Sequence, residues 1–179
     1  MSRRAVVLIG PMGSGKTSIG RKAAKALEAP FFDTDIAVAR VHGPIREIFA
    51  AQGEQRFRQF EREAVQEALS TDGIVAVGGG AVLHPDTRAD LARHPVVLLT
   101  VDPRTVAGRI RGTTRPLLQG GDALASWQRV AEEREQLYAD LADITIDTSI
   151  GHIRDIADRV AAWVAEQWTD DPAAQKGIE

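Results

Sequence analysis

The apolar run Val6-Val7-Leu8-Ile9 leads directly into Gly10-Pro11-Met12-Gly13-Ser14-Gly15-Lys16-Thr17, and this junction constrains the fold more than any other part of the chain. It is the GxxxxGK[ST] phosphate loop in the setting the motif requires, after a strand and before a helix. Its glycines let the backbone curl so that successive amide N–H groups face inward, and the N-terminus of the next helix adds further donors. Gly13, Ser14, Gly15, Lys16, Thr17 and Ser18 are therefore expected to hold a polyphosphate. Lys16 supplies the point charge for the β- and γ-phosphates and Thr17 the hydroxyl for Mg²⁺. The motif implies a nucleoside triphosphate ligand.

Short apolar strands alternate with helical periodicity along the rest of the chain. Strands are expected at Phe31-Phe32, Ile74 to Val77, Val96 to Val101 and Ile144 to Asp147, in addition to the first. Helices are expected over Gly15–Leu27, Ile36–Val41, Ile45–Ala51, Glu54–Leu69, Pro85–Leu91, Pro103–Ile110, Ala123–Leu141 and Ile153–Trp168. The pattern predicts an α/β three-layer sandwich with a five-stranded, mostly parallel sheet. A length of 179 residues fits one domain, 1–168, with a polar tail over 169–179. The absence of cysteine removes disulfides, thiolate metal sites and thiol chemistry from consideration. The short N-terminal apolar run is too small for a signal peptide and no later run reaches membrane-spanning length, so a cytoplasmic protein with no membrane partner is expected. A net charge of −3 argues against bulk nucleic-acid binding.

Ligands of an open parallel sheet collect at the carboxyl ends of its strands. Three polar groups fall at such ends: the phosphate loop, Asp33-Thr34-Asp35 and Gly78-Gly79-Gly80. Asp33 and Asp35 alternate along an extended segment, which predicts that both carboxylates point the same way. One is suited to hold Mg²⁺ through water and the other to accept the proton of an attacking hydroxyl; Asp35 is also placed to cap the helix expected from Ile36. The glycine triplet offers close backbone approach to a ligand. From spacing alone, Arg56 and Arg58 read as solvated helix residues, and Arg134, among Glu132, Glu133 and Glu135, as one half of an intrahelical ion pair. Residues 112–121 have turn composition around Arg115, the length and content of a lid whose arginine closes over a triphosphate. His42, His84, His94 and His152 lack partners for a nucleophile or metal set, and Trp127, Trp163 and Trp168 read as packing residues.

Taken in this order, the motifs resemble those of the shikimate kinase family over about residues 4 to 165. The resemblance rests on Gly10 to Thr17, Asp33-Thr34-Asp35, Gly53-Glu54-Gln55-Arg56-Phe57-Arg58 with Glu61, Gly78-Gly79-Gly80-Ala81-Val82, Arg115-Pro116-Leu117-Leu118, and Arg134 with Leu137-Tyr138. It implies a nucleoside monophosphate kinase-like fold with strand order 2-3-1-4-5, and transfer of phosphate from ATP to the 3-hydroxyl of shikimate. By the same resemblance, Asp35 is the base and Asp33 arranges Mg²⁺ through water. Arg58, Arg134, Gly79 and Gly80 hold the substrate, with the substrate region over about 34–61, and Arg115 is the lid residue. Arg109 and Arg111 compete for the place beside adenine, with further adenine contacts over Thr148 to His152, and the resemblance suggests a monomer. Aminoshikimate or gluconate would present the same carboxylate, and a non-catalytic nucleotide-binding module would keep only the phosphate loop. One departure stands out: Gln136 occupies a place where the family usually has proline, so the helix is expected to continue and Arg134 to be displaced.

Overall fold

The computed structural model describes residues 4–110 and 122–169. Five parallel strands, β1 (Val6–Ile9), β2 (Phe31–Asp33), β3 (Ile74–Ala76), β4 (Val96–Thr100) and β5 (Ile144–Asp147), form one sheet in the order β2-β3-β1-β4-β5. The helices are α1 (Lys16–Ala26), α2 (Thr34–His42), α3 (Ile45–Leu69), α4 (Pro85–Leu91), α5 (Pro103–Ile110), α6 (Ala123–Leu141) and α7 (Ile153–Thr169). Sheet order, direction and helix succession are those expected, and the two helices foreseen on either side of Gly53 form one element with a kink at that residue (φ 80°, ψ 169°). α7 runs one residue into the expected tail, whose remainder lies outside the described residues, as do Arg111, Arg115 and the lid expected over 112–121.

Strand periodicity explains the layers. In β1, Val6 and Leu8 face one side and Val7 and Ile9 the other, and all four are fully buried. The first pair packs with Ile19, Ala23 and Ala24 of α1 and with Ile156, Val160 and Val164 of α7. The second pair packs with Val65 and Ala68 of α3, Leu91 of α4 and Tyr138 of α6. A satellite core of Val38, Ile48, Phe57 and Phe60 joins α2 to α3, and another of Val101, Val106 and Trp127 joins the end of β4 to α5 and α6. The long insertion between β2 and β3 therefore has its own packing beside the carboxyl edge of the sheet. No helix among the described residues is long and apolar enough to cross a membrane.

Leu8 sits in the central strand with no solvent exposure and contributes to the α1–α7 layer. Leu8→Ala should cost about 2–5 kcal/mol by lost transfer energy and cavity formation, read as a lower midpoint in urea unfolding at unchanged slope.

Candidate active site

The phosphate loop closes on itself before any ligand is considered. Gly10, Gly13 and Gly15 all take positive φ (137°, 82° and 90°), a region closed to most side chains. α1 starts after Gly15 with no side-chain cap, so its first-turn N–H groups have no side-chain acceptor and face an anion site at the helix N-terminus. The loop carbonyls, by contrast, are occupied. Lys16 Nζ donates to Gly10 O (2.7 Å) and Pro11 O (3.0 Å), Trp127 Nε1 to Met12 O (2.8 Å), and Arg109 Nη1 to Gly13 O (2.8 Å). Ser14 Oγ is buried in this turn and has no hydrogen-bond partner among the described residues. An orphaned hydroxyl costs about 1–3 kcal/mol, and a phosphate oxygen would satisfy it. Ser18 is exposed on the first turn of α1. The donor set thus fits a polyphosphate.

Thr17 Oγ1 donates to Asp33 Oδ2 at 2.6 Å, while Asp33 Oδ1 accepts from the Ile36 N–H at 3.1 Å and caps α2. This corrects two expectations. The chain turns helical at Thr34, so the alternation of an extended segment ends at Asp33, and the two aspartates do not share a direction. The cap of α2 is Asp33 rather than Asp35, because the strand's last residue has the extended backbone a cap requires. Asp33 turns to the phosphate loop, whereas Asp35 turns into a neighbouring cavity. Among the described residues no three His, Cys, Asp or Glu side chains cluster as a metal cage. The Thr17–Asp33 pair fits a Mg²⁺ that takes most of its ligands from phosphate and water.

That cavity, about 350 Å³, is lined by Asp35, Arg58, Glu61, Gly79, Gly80 and Arg134, with Pro11 and Met12 on its phosphate-loop side. Phe49, Phe57, Ile45 and Trp127 give it an apolar wall. Arg58 is held by Glu61 Oε2 (2.7 Å) and Glu54 Oε1 (2.9 Å), one helical turn away on either side. Arg134 is buried in α6, so the surface ion pair expected from its acidic neighbours is not its setting. The glycine triplet is there for close approach. A Cβ on Gly80 would lie 2.2 Å from Arg58 Nη1, and one on Gly78 2.5 Å from Asp35 Oδ1 and 2.6 Å from Glu61 Oε1. The Gly78 N–H donates to Thr34 Oγ1 (3.0 Å), and Tyr138 Oη donates to Gly79 O (2.6 Å).

Burial pushes the Glu61 carboxyl above the usual carboxylate range; Arg58 opposes this by charge and hydrogen bond, and Asp35 adds to it. Burial also works to lower the Arg58 pKa, but Glu61 and Glu54 outweigh it and hold the guanidinium charged. Burial raises the Tyr138 phenol. The result is two arginines and an aspartate around a space for a small anionic ligand, next to a polyphosphate cradle.

Arg109 bridges the loop to the residue that follows β5, since its Nη2 donates to Thr148 O at 3.0 Å and its Nη1 to Gly13 O; Arg111 lies outside the described residues. α6 runs unbroken through Gln136, as expected without proline, and Gln136 is exposed and bonded to Asp140 (2.6 Å). Arg134 lines the cavity with the helix continuous. Spacing gives Glu61 and Tyr138 no role, although both lie within the family motifs. Trp127 packs as expected, and it also donates to Met12 O, a contact that no spacing marks. The histidines have local structural partners: His84 and His152 accept from the backbone two residues on, His94 bonds Ala5 O, and His42 stacks on Phe60.

The shikimate kinase family model matches residues 12–165, most of the chain. The chain belongs to the shikimate kinase family. A shikimate kinase of Mycobacterium avium is 47% identical over 146 residues, 80% of this chain and 83% of that protein. One of Thermobifida fusca is 45% identical over 151 residues, 83% and 87% of the two chains. The structure of shikimate kinase from Acinetobacter baumannii in complex with shikimate superposes with a TM-score of 0.86 at 33% identity, covering 92% of this chain and 94% of that one.

The raised carboxyl of Glu61 makes stability depend on pH. A group protonated more readily in the folded than the unfolded state contributes stability below its unfolded value and loses it as pH rises through its folded value. Relative to Glu61→Gln, the unsubstituted protein should therefore lose stability as pH is raised from the ordinary carboxylate range, read by urea unfolding at several pH values.

Proposed function

We propose that the protein transfers the γ-phosphoryl group of ATP to the 3-hydroxyl of shikimate, giving shikimate 3-phosphate and ADP. The observation that carries this is the convergence of Asp35, Arg58 and Arg134 on one cavity whose wall continues into the phosphate loop. Shikimate is a small carboxylated polyol. Arg58 and Arg134 form charge-assisted bonds to its carboxylate, and the backbone at Gly79 and Gly80 lies against the ring. Asp35, which lines the same cavity, accepts the hydrogen bond of the reacting hydroxyl and takes its proton as the oxygen attacks the γ-phosphorus. The P–O bond to the β-phosphate breaks in line, and the charge that develops is met by Lys16 and the N–H groups of the loop. Mg²⁺, held by Thr17 and by Asp33 through water, neutralises phosphate charge when bound.

The reading divides the chain into a P-loop kinase domain over 1–168, with the acceptor region at about 34–61. Arg109 sets the nucleotide edge of the loop from its bonds to Gly13 and Thr148, and Arg115 is assigned to the lid by the family resemblance.

A coupled ADP-release assay with shikimate, aminoshikimate, quinate and gluconate tests the acceptor. Shikimate should give the highest kcat/KM, and turnover should vanish on chelation of Mg²⁺. Turnover with gluconate but not shikimate would reassign the acceptor. Asp35→Asn removes the proton acceptor while keeping the side chain's shape, so kcat should fall at least about a hundredfold with little change in ATP affinity. A kcat near that of the unsubstituted protein would take Asp35 out of the chemistry.

A further inference from the structure

The donors that occupy the phosphate-loop carbonyls come from different distances along the chain. Lys16 belongs to the loop, but Met12 O is held by Trp127, which is 115 residues away. A peptide group is planar and trans, so its carbonyl and its N–H point in opposite directions. Holding Met12 O on the indole of Trp127 therefore aims the Gly13 N–H away from α6, into the curl of the loop. Gly13 has a positive φ (82°) and little conformational preference of its own, so this peptide turns easily unless something outside the loop holds it.

Trp127 is built to be that restraint. It is buried, and it packs in one cluster with Val101, Val106 and Met12, so the donor cannot swing away. The same side chain lines the acceptor cavity. It stands seven residues before Arg134 on α6, about two helical turns along the face that carries the clamp.

We propose that Trp127 is a positioning residue for phosphoryl transfer: its indole N–H holds the Met12–Gly13 peptide so that the Gly13 N–H meets the triphosphate, and ties the phosphate loop to the helix bearing Arg134. The proposal rests on the nucleotide-binding reading above and not on the identity of the acceptor.

Replacement of Trp127 by 3-benzothienylalanine tests it, since sulfur then stands where the N–H was and the fused rings keep their volume. Trp127→Phe is made beside it as a second protein without the donor. Binding of the Mg²⁺ complex of adenylyl imidodiphosphate, measured by calorimetry without acceptor, should weaken about tenfold in both proteins, the loss expected for one hydrogen bond. In the benzothienyl protein the KM for ATP should rise by a similar factor, while shikimate affinity stays within about twofold. Unchanged nucleotide affinity in that protein overturns the proposal. So does an equal loss for both ligands, which would make Trp127 a packing residue of α6. If the unsubstituted protein binds the nucleotide but does not phosphorylate shikimate, the acceptor assignment fails and the Trp127 comparison still stands. If it binds no nucleotide, both fail.

Discussion

The pair formed by Arg58 and Glu61 is the interaction on which the candidate site turns. A buried carboxylate is costly unless it is paired, and a guanidinium on a long side chain wanders unless it is anchored. Glu61 is buried and bonds Arg58 at 2.7 Å, and Glu54 bonds the same guanidinium from the exposed side. The pair is packed against a turn with no side chains, where a Cβ at Gly80 would collide with Arg58 and one at Gly78 with Glu61 and Asp35. Two oppositely charged side chains from α3, an aspartate from α2 and the backbone after β3 thus fix one another. The guanidinium is pre-organised for an anionic ligand before it arrives, which lowers the cost of binding.

The rest of the site depends on the sheet bringing separate elements to one edge. β1 lies between β3 and β4, so the phosphate loop emerges in the middle of the carboxyl edge, with the glycine turn after β3 on one side. Asp33 ends β2 and reaches across to Thr17, linking the outermost strand to the loop's helix. α6 closes the cavity from above with Arg134, Trp127 and Tyr138, and the last two bond to the backbone of the loop and of the glycine turn. Trp127 thus ties α6 to the phosphate cradle, and Tyr138 ties it to the glycine turn on the acceptor side. A shift of α6 would be felt at both.

How much of this was legible beforehand varies with the range of the signal. The strand–loop–helix unit is local, and its glycines, lysine and threonine specify it within eight residues. Apolar runs mark all five strands, because burial on both faces of a parallel sheet leaves a short continuous apolar segment, whereas periodicity breaks α3 into two helices at Gly53. Alternation misplaces the aspartates, since it assumes an extended backbone and Asp33 itself ends it by capping α2. From spacing alone Arg58 reads as a solvated helix residue and Arg134 as one half of an intrahelical ion pair. Only the resemblance to a known family moved them to the substrate.

The sequence by itself determined the class of fold, the polyphosphate cradle and the inventory of charged groups at strand ends, since each is a property of residues close together in the chain. Tertiary structure alone decided which way each of those groups faces. Arg134 is buried because α6 lies over the cavity, Asp33 and Asp35 part because a helix begins between them, and Trp127 meets Met12 because two segments over a hundred residues apart pack into one cluster. Such contacts follow from packing between elements, which no local spacing encodes. The physical reason is that hydrophobic burial sets where elements go without direction, and the hydrogen bonds that give the site its directions form only after they have met.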